Sequence, residues 1–331
     1  MTRASAARRL ATAAMYGGGG LGLLGGALYG VMRAQASWAR RVIGPAETRP
    51  PLPQELYGAS LPGEPLSVLI LGDSAAVGYG MENADDTPPG MIGAGLPHMC
   101  GRPVRITSLA RVGAQSSALD EQIDAGLATT PDVAVVVIGT NDVTHRVRPS
   151  ESVRLLAAAV RRLRAAGCEV VVGTCPDLGS IKPVPLPLRL VAREWSRRLA
   201  AAQTIAVVEA GGRSVSLATL LGPSFTAAPG ELFGPDRFHP SAAGYASMVA
   251  ALLPSIAAAA GVVDDEEEPQ LLPGDTVLPI SFAAAEAVRE PGTEVTPAEV
   301  AGHDRGPRGR WAQIRHRVRR TGLAGTAPVA P

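Results

Sequence analysis

From Leu66 onward the chain alternates between short continuous apolar runs and longer stretches in which apolar residues recur every three or four positions. The runs are SVLILGD (67–73), VRITSLA (104–110), VAVVVIG (133–139), EVVVGTC (169–175) and TIAVVEA (204–210). Apolar, β-branched runs without polar alternation fit strands covered on both faces, as in a parallel sheet. Helices are expected between and after them, at 115–128, 150–166, 186–202 and 241–260. The second opens at Ser150 and carries Arg154, Arg161, Arg162 and Arg164 outside an Ala/Leu/Val stripe. Alternating strands and helices predict an α/β sandwich around a parallel sheet.

Both ends of the chain break this pattern. Residues 10–32 carry no charge and follow Arg3, Arg8 and Arg9, the layout of a signal peptide or an uncleaved anchor. The run is long enough to cross a hydrocarbon core, although its glycines make it weakly apolar. Ala34-Gln35-Ala36 resembles a cleavage site, but Arg33 crowds it and Arg40 and Arg41 follow, which favours an anchor over cleavage, and residues 1–42 are read as a signal or anchor segment. Residues 43–65 are proline-rich without periodicity and read as a spacer. A folded domain is expected over 66–262.

From residue 263 an acidic run, Asp264 to Glu268, opens a Pro/Gly/Ala-rich segment through 331 that is expected to lie outside the core. Within it, residues 305–320 are rich in arginine and place Trp311, Ile314 and Val318 at helical spacing. They predict a basic amphipathic helix suited to a membrane surface or a polyanion.

Composition narrows the function classes. With 31 Lys+Arg against 30 Asp+Glu the net charge is +1, so no global field favours nucleic acid, and no such partner is expected. Cys100, Cys168 and Cys175 have neither even number nor CxxC spacing, which argues against a disulfide framework and a zinc site. No metal or cofactor is expected.

Ligands of open α/β sheets bind at the carboxyl ends of the strands. The first run ends in Gly72-Asp73-Ser74, with Gly78 and Gly80 following, which sets a serine on a tight strand-to-helix turn. Such a turn could cradle phosphate, but GDSAAVG lacks the Walker Lys-Ser/Thr and is not GxGxxG. A nucleophilic serine needs a base. Of His98, His145, His239, His303 and His316, the last two lie in the tail and His98 has no carboxylate nearby. His145 follows Asp142, and His239 follows Asp236 in DRFHP, where a carboxylate three residues earlier can turn back and fix the imidazole tautomer. Oxyanion donors are available as the Ser74 amide, the Gly113 amide after the second run, and the Asn141 side chain in Gly139-Thr140-Asn141-Asp142 after the third.

These blocks, in this order at successive strand ends, resemble the SGNH, or GDSL-type, hydrolase family over residues 66 to 258. The resemblance implies a three-layer α/β sandwich whose five-stranded parallel sheet has the order 2-1-3-4-5. It implies Ser74 as nucleophile, His239 as base and acid, Asp236 as its orienter, and the Ser74 amide, Gly113 amide and Asn141 as oxyanion donors. The residue after the serine is Ala75 rather than the usual leucine, which opens space beside the nucleophile. Residues 176–195, with Pro183, Pro185 and Pro187, are expected to shape an acyl or alcohol pocket.

The reading that follows is an exported, membrane-associated serine esterase or lipase acting on an ester substrate, such as a lipid or an acylated envelope component. An acyltransferase using the same residues fits the motifs equally. A catalytically inactive module that binds envelope polymer through 305–320 is the reading from another class.

Overall fold

The computed structural model describes residues 26–44, 50–217, 229–262 and 276–316. The first strands are β1 (Leu56–Tyr57), β2 (Leu66–Gly72), β3 (Val104–Ser108), β4 (Val133–Val137), β5 (Glu169–Gly173) and β6 (Arg213–Val215). In space β3-β2-β4-β5-β6 are neighbours and all parallel, which is the expected order 2-1-3-4-5. β-branched and leucine side chains alternate between two cores. Val68, Ile70, Val133 and Val135 point to one face, and Leu69, Leu71, Ala134 and Val136 to the other.

The helices, counting residues 26–43 as α1, are α2 (Ser74–Val77), α3 (Pro88–Cys100), α4 (Leu119–Gly126), α5 (Thr140–Thr144), α6 (Pro149–Ala165), α7 (Leu188–Glu209), α8 (Pro229–Leu232), α9 (Ala242–Ala259) and α10 (Ile280–Ala287). Ile92 and Leu96 of α3 join Tyr245, Leu252 and Ile256 of α9 on the first face. Ile123 of α4, Leu156 and Leu163 of α6 and Val207 of α7 cover the second. The molecule is therefore a three-layer sandwich. By length and composition α9 could cross a membrane, but half of it is buried inside this core.

Three expectations are corrected. Residues 204–209 are not a strand but the last turns of α7; the fifth parallel strand is the short β6. The apolar run is continuous because this helix is covered on two flanks, with Val207 in the core under the parallel sheet and Val208 against the C-terminal strands. A helix buried on two sides loses its polar stripe, and a run of that kind reads as a buried strand.

The proline-rich spacer is ordered at its far end. There β1 pairs antiparallel with β3, and Tyr57 fills the space left by Gly93, where a Cβ would collide with the ring.

The largest correction is C-terminal. β7 (Thr276–Pro279), β8 (Thr293–Ala298), β9 (Arg305–Gly306) and β10 (Gly309–His316) are strands, and β8 pairs antiparallel with β6 to extend the same sheet as β6-β8-β10-β7. No helix forms over 305–316; residues 317–320 of that expected helix lie outside the described residues. Ala312, Ile314 and His316 are buried at a period of two, which governs here instead of the three-to-four spacing of Trp311 and Ile314. Ile280, Ala283, Ala287, Val295, Ala312 and Ile314 form a small core of their own against Val208. Glu294, fully buried in β8, is held by the Arg213 guanidinium at 3.0 Å.

Of the expected membrane segment, residues 10–25 lie outside the described residues. Residues 26–32 are helical, and Ala34-Gln35-Ala36 lies within the same helix.

Candidate active site

The turn carrying Ser74 is built where β2 stops pairing. Gly72 has φ +131°, and a Cβ there would strike the Val137 carbonyl oxygen, so only glycine fits this crossing. Buried Gln122 satisfies the peptide at the break: its Oε1 accepts from Gly72 N at 2.8 Å and its Nε2 donates to Gly72 O at 3.0 Å. Asp73 then caps α2, its Oδ1 accepting from Ala75 N at 2.9 Å. Ser74 is the first residue of α2, so its N–H has no helical carbonyl to meet. Gly78, with φ +83°, ends the turn.

The opposing loop is organised by Asp236. Its Oδ1 accepts from the amides of Phe238 at 2.9 Å and His239 at 3.0 Å, and its Oδ2 lies 2.6 Å from His239 Nδ1. His239 Nε2 then faces Ser74 Oγ at 3.1 Å, across 165 residues of sequence. The loop is closed by Gly234 N donating to His239 O at 2.9 Å, and Ser241 begins α9 as its cap. Burial pushes the Asp236 carboxyl up, but the hydrogen bonds from the imidazole and the two amides outweigh it and hold the group below its ordinary value.

The Gly113 and Asn141 segments meet beside this pair. Asn141 Nδ2 donates to Ala114 O at 3.0 Å, and Arg111 N donates to Gly72 O at 3.0 Å, tying the Gly113 loop to both neighbouring strand ends. Gly113 itself has φ +80°. Ser74, Gly113, Asn141, Asp236 and His239 are thus all gathered at the carboxyl ends of β2, β3 and β4 and the loop before α9.

His145 is not part of this arrangement. It is exposed, and its Nδ1 lies 2.9 Å from Asn141 O. Asp142 points inward instead, accepting from Ser116 Oγ at 2.5 Å, Ser152 Oγ at 2.8 Å and Ser116 N at 3.1 Å. That buried carboxylate fastens the loop carrying Gly113 to the helix turn carrying Asn141.

Sequence reasoning missed several contributors. The Tyr79 ring lies 4.5 Å from the His239 ring, centroid to centroid, and Phe238 meets the other ring edge-on at 4.9 Å. Tyr79 is tethered to the nucleophile turn by Tyr79 N donating to Ser74 O at 3.0 Å, and its carbonyl accepts from the buried Tyr245 hydroxyl at 2.9 Å. Two signals were available: polar Gln122 on the apolar face of a helix, and an aromatic directly after Gly78 in the turn. Asp73 is also buried; desolvation raises its carboxyl to about 7, opposed by the Ala75 amide and reinforced by the charge of Asp142. The Gly139 amide also opposes the rise.

An apolar pocket of about 580 Å³, open to solvent, adjoins Ser74 and His239. Ala75, Val137, Leu217 and Met248 form part of its wall, and Pro176, Leu178 and Ile181 come from the segment expected to shape it. No group of three His, Cys, Asp or Glu residues with metal-holding geometry occurs among the described residues.

Residues 70–247 match the model of the GDSL-like lipase/acylhydrolase family. The chain belongs to that family. Membership makes this GDSL-type protein a hydrolase of carboxylic esters. It is 41% identical over 254 residues to the GDSL-like esterase Rv1075c of Mycobacterium tuberculosis, a match covering 72% of this chain and 80% of that one. Among solved structures it is similar to LAE5, an alpha/beta hydrolase from the metagenome of Lake Arreo, Spain (19% identity, 60% of this chain and 96% of that one, TM-score 0.48). It is also similar to Axe2, an acetylxylan esterase from Geobacillus stearothermophilus (19% identity, 59% and 95%, TM-score 0.46).

Proposed function

We propose that this GDSL-type protein is an exported, membrane-associated serine esterase that cleaves esters of apolar acids through an acyl-enzyme on Ser74. The observation that carries the reading is the continuous relay from Asp236 through His239 to Ser74, at 2.6 and 3.1 Å.

In this mechanism His239 Nε2 takes the Ser74 proton as Oγ attacks the ester carbonyl, and Asp236 stabilises the imidazolium. The tetrahedral oxyanion is met by the Ser74 amide, the Gly113 amide and the Asn141 side chain. His239 then gives its proton to the leaving alcohol oxygen as the C–O bond breaks, leaving the acyl group on Ser74. In deacylation His239 takes a proton from water, the hydroxide attacks the acyl carbonyl, and Ser74 Oγ leaves with that proton.

The apolar wall of Ala75, Val137, Leu178, Ile181, Leu217 and Met248 offers an acyl chain a dry surface and offers a sugar few partners. That chemistry favours a chain of several methylenes over an acetyl group, because each buried methylene contributes about 0.8 kcal/mol. Export and membrane association rest on the uncharged run 10–32 behind Arg3, Arg8 and Arg9.

The test is turnover of a chain-length series of p-nitrophenyl esters by the full chain beside Ser74→Ala, His239→Ala and His145→Ala. The first two lose several orders of magnitude in kcat, His145→Ala keeps wild-type turnover, and kcat/KM rises from acetate towards medium chains. A folded wild type that turns over no member of the series defeats the reading. Product analysis with added alcohols separates water from an alcohol as acceptor.

A further inference from the structure

One stripe of α1 and the turn that opens α7 form a single exposed surface. Met32, Ala36 and Ala39 face the domain, and Ala39 is buried. Gln35 fastens the helix there: its Nε2 donates to Leu186 O at 2.5 Å and its Oε1 accepts from Leu188 N at 3.2 Å. Along the same stripe as Gln35, at spacings of three, four and seven residues from it, Leu28, Val31, Trp38 and Val42 are about half exposed. Beside Gln35, Leu186 and Leu190 are 54% and 58% exposed and extend the apolar stripe of α1 into a patch.

The charges on this surface have one sign. Residues 26–43 hold Arg33, Arg40 and Arg41 and no acid, and residues 181–191 hold Lys182 and Arg189 and no acid. Exposed tryptophan and aliphatic side chains interleaved with arginine are the composition of a helix lying in a membrane interface, and the cations match anionic headgroups. A second copy of this surface would set cation against cation. Upstream in the sequence lies the rest of the uncharged run, residues 10–25. Residues 178 and 181, a few positions before this turn, line the pocket beside Ser74.

We infer that the exposed apolar stripe of α1 around Gln35 and the 186–191 turn together seat the domain on an anionic lipid surface, so that the rim of the active-site pocket meets the bilayer and takes its ester from it. The inference rests on the esterase reading only for the last step; the lipid contact stands separately.

The experiment uses the full chain reconstituted into vesicles of equal parts phosphatidylglycerol and phosphatidylcholine, with lipids brominated near the headgroup as quenchers. Leu190→Trp is introduced into a Trp38→Phe background. The added emission at 190 is quenched if the turn itself enters the interface; an anchor alone, with the domain held away, leaves it unquenched and overturns the inference. A paired variant, Leu190→Glu with Val191→Glu, lowers turnover of a bilayer-dispersed medium-chain ester by about tenfold or more and leaves soluble p-nitrophenyl butyrate unchanged. Equal effects on both substrates, or a dimer in solution that these substitutions dissolve, also overturn it. If the wild type turns over neither ester, the esterase reading fails while the quenching result still decides the lipid contact.

Discussion

The parallel half of the sheet and its antiparallel extension meet along one strand pair, β6 with β8, yet they are made differently. In β2, β4 and β5 nearly every side chain is a buried Val, Leu or Ile, both faces are covered, and the strand ends converge on Ser74 and its neighbours. In the extension, β8 reads TEVTPA, buries Thr293 and Glu294 fully, and depends on an Arg213 ion pair and a small core of isoleucine, valine and alanine. The first half positions chemistry on a rigid apolar support. The second covers the β6 edge, which would otherwise present unpaired amides and carbonyls.

The comparison makes distinct demands on substitutions in each half. The largest effect belongs to the strand ends: His239→Ala removes several orders of magnitude in kcat with little change in melting temperature, checked by steady-state kinetics beside thermal unfolding. In the extension the pattern inverts. Ile314→Ala leaves a cavity beside Val295 and costs about 2–5 kcal/mol of stability, whereas kcat stays near wild type in the protein that remains folded. A matching loss of activity per folded molecule would mean that the two halves are not separable.

Smaller effects sharpen the boundary inside the catalytic half. Tyr79 packs against His239 while its backbone is tied to Ser74, so Tyr79→Ala lets the imidazole reorient and lowers kcat about tenfold with KM nearly unchanged. Tyr79→Phe keeps the ring and restores kcat; if it does not, the phenol hydroxyl rather than the packing matters.

At Asp73 the expected effect is a pH dependence of stability. Its folded carboxyl titrates at about 7, against an ordinary value of 3.8. Between those values the folded state binds a proton that the unfolded state has released, so this group's contribution to stability falls as pH rises from about 4 to about 7 and is flat beyond. Asp73→Asn removes that slope. Its melting temperature, relative to wild type, is therefore higher at pH 8 than at pH 4, and a difference independent of pH would place the carboxylate in a different environment.

The same contrast explains what could be read from sequence. Strands such as VAVVVIG are legible because two-sided burial demands an unbroken apolar run, and the site is legible because its chemistry requires rare side chains at successive strand ends. The extension is hidden because its strands are polar, with Pro297 inside β8, and because Ala312 and Ile314 supply a weak alternation among arginines. It also hid a neighbour: covering the second flank of α7 turned Thr204 to Glu209 into an apolar run that reads as a strand. Supporting residues such as Gln122, Ser116, Ser152 and Tyr79 act through contacts of long sequence separation that spacing alone does not reveal.

The account stands on a serine activated by His239, and covalent labelling addresses that most directly. The full chain is treated with a fluorophosphonate and digested, and the modified peptide is identified by mass spectrometry in wild type and His239→Ala. One phosphonyl group on Ser74 in the wild type, with labelling nearly abolished in His239→Ala, is the expected result. Ester turnover by a wild type that is left unlabelled at Ser74, or labelled at another residue, would contradict the account.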